Sequence, residues 1–147
     1  MSEARKLNLA ERRAISSYQE TVFADKAQQI KTAVGADFEL DVNWESMAGE
    51  GQADRYGHDD YWTNIFFNPV LKALTDVAAD AMGKEALQDG LKRISFYYDE
   101  ATAPVMSYEN GVKFADGNLS INFKPFSNAD AIEDRAIAIV KALEAGL

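Results

Sequence analysis

Residues 37–45 read Asp-Phe-Glu-Leu-Asp-Val-Asn-Trp-Glu, polar and apolar in turn without a break. Successive side chains of a strand point to opposite faces, so the pattern predicts a strand with two unlike sides. Phe38, Leu40, Val42 and Trp44 face a core, while Glu39 and Asp41 stand on the solvent side. A sheet built on such a strand has one covered face and one wet face. Acids form strands poorly and suit an exposed edge, where their charge discourages unwanted sheet extension.

The flanking segments supply what covers the apolar side. Asn8 followed three residues later by Glu11 is capping-box-like and opens a helix expected over residues 8–33. Ile15, Tyr18, Val22, Ala27, Ile30 and Val34 recur at helical spacing on it, and Gly35 stands where a C-terminal cap belongs. Residues 46–60, with Gly49, Gly51 and Gly57, read as a long loop. An aromatic cluster of Tyr61, Trp62, Phe66 and Phe67 follows, with Asp59 or Asp60 as cap of a short turn. Asn68-Pro69 reads as the start of a second helix, which Gly83 ends before a short helical segment at 84–89.

Most of the remainder reads as strand. Segments 91–99, 104–109, 112–115 and 119–123 are separated at two points by Asn110-Gly111 and Asp116-Gly117, pairs suited to tight hairpin turns. Ser127 or Asn128 caps a last helix whose apolar face is Ile132, Ala136, Ile139, Val140 and Leu143. The expected fold is therefore α+β, one domain over residues 1–147, in the order α-β-α-β-β-β-β-α. A mainly antiparallel sheet of about five strands is backed on one face by three helices. Glu39, Asp41, Asn43, Lys113, Ser120, Asn122 and Lys124 belong to the other face.

Charge is concentrated in one place. The chain of 147 residues has a net charge of −9, and residues 37–60 hold eight carboxylates and a single base, Arg55. This stretch disfavours nucleic-acid phosphate and anionic lipid as partners and suits a basic protein surface. There is no cysteine and only one histidine, His58, which excludes disulfide scaffolds, thiol nucleophiles and metal sites built on Cys or several His. No apolar run approaches ~20 residues, so no membrane span is expected, and the cytoplasm is the expected location.

No catalytic motif emerges, and no metal or other cofactor is expected. His58 beside Asp54, Asp59, Asp60 or Glu45 is a candidate general base for a small hydrolase or lyase, but adjacency in sequence does not make a dyad. The acids match no calcium-loop spacing, and there is neither a nucleophile elbow nor a phosphate-binding glycine loop. Phe96, Tyr97, Tyr98 and Tyr108 fit a core better than a ligand pocket. The favoured expectation is a non-enzymatic interaction module that docks a basic partner protein. Its candidate residues are Glu39, Asp41, Glu45, Glu50, Asp54, Tyr56, His58, Asp59, Asp60 and Trp62. In class it resembles small acidic immunity proteins and secretion chaperones, although the helix after the first strand departs from the chaperone order. A pocket binding a small molecule between sheet and helices is the alternative.

Overall fold

The computed structural model describes residues 7–48, 60–104, 107–125 and 128–147, with Asp60 described in its backbone only. The first helix, α1, runs over residues 9–34 as two α-helical parts, Leu9–Tyr18 and Ala24–Val34, joined by a π-helical turn at Gln19–Phe23. The capping box forms: the Asn8 side chain accepts from the Glu11 amide at 2.8 Å, and the Asn8 amide donates to Glu11 at 3.0 Å. Gly35 ends the helix in the left-handed conformation. Within the π turn the Thr21 hydroxyl donates to the Ser17 carbonyl at 2.6 Å, competing for the acceptor that α-helical bonding would use.

That turn moves the buried face by one residue. A strict helical period from Tyr18 puts Val22 inside, but Val22 is 37% exposed and Phe23 packs against the core instead.

Strand β1 is Glu39–Val42, shorter than the alternating run because Asn43 caps a short helix α2, Trp44–Met47. Helix α3 covers residues 60–77, in the parts Asp60–Trp62, the π turn Thr63–Phe67 and Asn68–Val77. Asn68-Pro69 opens the α-helical part Asn68–Val77, but the helix as a whole begins earlier, so Asn68 is no cap. Proline has no amide to offer the fourth residue back. The Asn68 amide bonds instead to the Thr63 carbonyl, five residues back, which gives the π turn.

Helix α4, Ala81–Gly90, is capped by Asp80, whose side chain accepts from the Gly83 amide at 2.7 Å. Gly83 therefore lies in the first turn of a helix and does not end one. A Cβ there would stand 1.9 Å from the Val77 carbonyl oxygen. Gly83→Ala is expected to lower stability by about 1–3 kcal/mol, since the obstacle is backbone and cannot rotate away. Urea unfolding measures it.

Among the described residues the sheet has four strands: β1, β2 (Arg93–Tyr97), β3 (Val112–Ala115) and β4 (Asn118–Asn122), in the order β1-β2-β4-β3. β1 pairs with β2 in parallel, β2 with β4 in parallel, and only β3 with β4 antiparallel. The mainly antiparallel sheet of about five strands is thus corrected to a mixed sheet of four among the described residues, and the expected order with one helix between the first two strands to one in which α2, α3 and α4 all lie between β1 and β2.

The reason lies at Asn110-Gly111. Neither residue takes a positive φ, and Tyr108–Gly111 is a 3₁₀ turn. Gly111 serves close packing: a Cβ on it would meet the Asn122 carbonyl oxygen at 2.2 Å. Of the expected strand at 104–109, residues 105 and 106 lie outside the described residues. Asp116 and Gly117, with φ of 53° and 81°, do make the tight β3–β4 turn. Without the first hairpin, β4 rather than β3 pairs with β2.

The register aligns Leu40, Ile94, Leu119 and Phe114 in one row, and Val42, Phe96, Ile121 and Val112 in the next. These rows form the helix-covered face, closed by α1, α3 and the last helix α5, Ile132–Gly146. Ala131, not Ser127 or Asn128, is the residue before α5; it makes no side-chain cap, and residue 127 lies outside the described residues. The opposite face carries Glu39, Asp41, Arg93, Ser95, Tyr97, Lys113, Asn118 and Ser120, all exposed or half-buried; Asn122, expected there as a solvated residue, is instead 3% exposed, its side chain accepting from the Asp99 amide at 2.8 Å and donating to the Thr102 hydroxyl at 3.0 Å.

Candidate functional site

Parallel strands deliver their carboxyl ends to one side of a sheet, where α/β ligand sites commonly form. The carboxyl end of β1 leads into α2, and this junction is tightly held. The Asn43 amide donates to the Phe96 carbonyl at 2.9 Å. Its side chain accepts from the Ser46 amide at 3.1 Å, and the Ser46 hydroxyl accepts from the Tyr98 amide at 3.1 Å. Trp44 and Glu45 are therefore presented from fixed backbone.

Between this junction and the first half of α1 lies an open groove of about 540 Å³. Arg12, Ile15, Ser16 and Gln19 line it from α1, and Asp41 through Glu45 from the strand side. Behind Trp44 is a five-ring aromatic cluster of Tyr18, Phe23, Trp44, Trp62 and Phe67. Its centroid separations include 5.3 Å for Tyr18–Trp62, 5.1 Å for Phe23–Trp44 and 5.5 Å for Trp44–Trp62. Tyr18 and Phe23 are five residues apart, as are Trp62 and Phe67. On an α-helix that spacing separates side chains by about 140°. Each pair spans a π turn, which brings both members onto one side. The Tyr18 hydroxyl and the Thr63 hydroxyl lie 2.6 Å apart, joining α1 to α3 beside the cluster.

The four acids described near the groove differ in how they are compensated. Asp37 pairs with Lys31 at 3.0 Å. Glu39 takes both Nε and Nη2 of Arg93 on one oxygen, each at 2.7 Å. Asp41 and Glu45 have no ion pair among the described residues, and both line the groove. Arg12, on the opposite wall, has none either.

The candidates from the sequence thus divide. Glu39, Asp41 and Glu45 are exposed and near one another along the chain and at the β1 edge. Glu50, Asp54, Tyr56, His58, Asp59 and the side chain of Asp60 lie outside the described residues. Trp62 is 0% exposed and belongs to the core, so it offers no surface anchor. Trp44 takes that place, being half-buried and part of the groove wall. Arg12, Ser16 and Gln19 were not among the candidates. Sequence alone gave them no signal, because their relevance depends on α1 lying beside the β1 edge.

On the open sheet face the polar groups largely satisfy one another. The Ser95 hydroxyl donates to Asn118 Oδ1 and the Asn118 amide to the Ser120 hydroxyl, both at 3.0 Å. Burial, and then the Asp99 carboxylate, push the Tyr97 phenol above its ordinary value, so it stays neutral near pH 7. Among the described residues no group of three or more His, Cys, Asp or Glu side chains could hold a metal. No helix among them is long and apolar enough to cross a membrane. Comparison of the chain with protein-family models, curated proteins and solved structures gives no match.

Proposed function

We propose that the chain is a non-enzymatic interaction module that docks a basic partner at the β1 edge and the groove beside it. One observation carries this reading: the two acids of the groove, Asp41 and Glu45, lack a cation partner among the described residues, whereas Asp37 and Glu39 are each paired. Uncompensated carboxylates at a surface steer a cationic partner toward it, and an adjacent aromatic supplies contact that can be desolvated. Trp44, braced by four other rings, is a rigid wall for such a contact.

The test is co-purification of the native chain at low and high salt. A partner of basic surface is expected to bind at low salt and elute as salt rises, because exposed charges are screened over about 10 Å at 0.1 M. Asp41→Asn combined with Glu45→Gln is expected to weaken binding about tenfold while leaving the unfolding midpoint within experimental spread, because both groups are exposed. Retention of full affinity by this variant sinks the reading.

A second reading, a pocket for a small cationic molecule, draws on the groove volume of about 540 Å³. Ligand pockets begin near ~300 Å³. Saturable binding of a small organic cation by the chain, with no protein retained at low salt, would favour this reading over docking.

A further inference from the structure

The two backbone hydrogen bonds at the ends of β1 fix which way its peptide groups point. The Glu39 amide donates to the Lys92 carbonyl at 3.2 Å and the Asn43 amide to the Phe96 carbonyl at 2.9 Å. In a strand, N–H and C=O of one residue point to the same side, and alternate residues point to opposite sides. Residues 39, 41 and 43 therefore face β2. Leu40 and Val42 carry their N–H and C=O on the other side, where β1 is the edge of the sheet and no strand pairs with it among the described residues.

An unpaired edge beside a helix-walled groove is the arrangement that accepts an added strand. The groove lies between that edge and α1, and Val42 lines it. An added strand lies about 4.8 Å from the one it joins and sends every second side chain the same way. Charge selects among possible strands. Asp41, Glu45 and Arg12 are the charged residues among those that line the groove. That balance suits one basic side chain and not a polybasic run. It repels acidic segments, so the acids that discourage indiscriminate edge pairing also set the choice of partner.

We infer that the partner docks as an extended segment that adds to the free edge of β1 and sets one lysine or arginine beside Asp41, Glu45 and the Trp44 indole. This rests on the docking reading above and specifies its geometry. The cation gains the two carboxylates and the ring face together, and the backbone of Leu40 and Val42 gains partners for its edge-facing groups.

The experiment uses the full chain, labelled for amide NMR, and four forms of one probe. The parent is the capped peptide acetyl-Thr-Val-Lys-Val-Thr-amide. The second has glutamate for its lysine. The third and fourth are N-methylated on alternate residues, one in each of the two alternate sets. With the parent, the amide signals of Leu40 and Val42 are expected to shift and their hydrogen exchange to slow. Glutamate for lysine is expected to weaken binding about tenfold, the equivalent of one charge-assisted bond. N-methylation of one alternate set is expected to weaken it at least as much, and of the other set to leave it nearly unchanged. Equal effects of the two sets, or no binding of the parent at roughly millimolar concentration, overturn strand addition. If strand addition fails in this way but Asp41→Asn with Glu45→Gln still weakens binding of the native partner, docking stands without it. If that variant binds the native partner as well as the parent chain does, docking fails, and strand addition with it.

Discussion

Trp62→Ala is expected to destabilise the chain by about 3–5 kcal/mol, the range for truncating a large buried aromatic. Trp62 is fully buried and touches Tyr18 and Trp44 edge-on or tilted, at centroid separations of 5.3 and 5.5 Å. Its removal leaves a void beside Tyr18 and Trp44, and the Tyr18 side chain is held by its hydroxyl contact with Thr63. Trp62→Phe is the informative companion. The indole N–H has no hydrogen-bond partner among the described residues, so phenylalanine forfeits no bond. Its cost should be about 1.5 kcal/mol or less, typical of a hydrophobic swap that keeps most of the volume. Urea unfolding of both variants provides the comparison. A large loss in Trp62→Phe would mean the N–H has a partner.

Arg135→Ala is the second large effect, expected at about 3 kcal/mol from the loss of a charge-assisted hydrogen bond and a desolvated cation–π contact. Arg135 is buried in α5. One Nη donates to the Asn128 carbonyl at 2.6 Å, and the guanidinium lies over the rings of Tyr108 and Phe123 at 4.6 and 5.5 Å. Burial pulls its pKa below the ordinary arginine value, against upward pulls from Tyr108, Asp130 and Asp134, and the group stays charged. Arg135→Lys should recover little of the loss, because an ammonium has no plane to lay against two rings. Full recovery in the lysine variant would show that charge alone matters there.

The parts of the fold legible in the sequence are those set by local chemistry. Asn8 and Glu11, Gly35 and the Asp116-Gly117 turn act within a few residues and each is realised, and the alternation is realised over Glu39–Val42. The failures share another cause. Asn110-Gly111 has the composition of a hairpin turn, but tertiary contact uses Gly111 for its missing Cβ instead. Asn68-Pro69 has the composition of a helix start, yet a π turn absorbs the proline inside a longer helix. The same kind of turn in α1 replaces Val22 with Phe23 on the buried face. A trace of these turns is visible in the sequence, since Tyr18/Phe23 and Trp62/Phe67 are aromatic pairs with the same spacing of five. Nothing local distinguishes that spacing from chance.

The candidate site was legible only in part. The acidity of Glu39, Asp41 and Glu45 and their outward phase follow from the alternation. Which of them keep an uncompensated charge depends on Lys31 and Arg93, residues brought close by folding. The groove exists because α1 lies beside an edge strand, and the sequence did not reveal where the first strand sits in the sheet. Trp62 lay beside the acidic stretch in sequence and is buried in space, while Trp44, expected in the core, reaches the groove.

Amide hydrogen exchange of the chain, free and bound to its co-purified partner, tests docking at β1 most directly. Among the described residues the edges of the sheet are β1 and β3. Slowed exchange at Leu40 and Val42, with the β3 amides of Val112–Ala115 unchanged, is the predicted result. Protection at β3 with Leu40 and Val42 unaffected would contradict it.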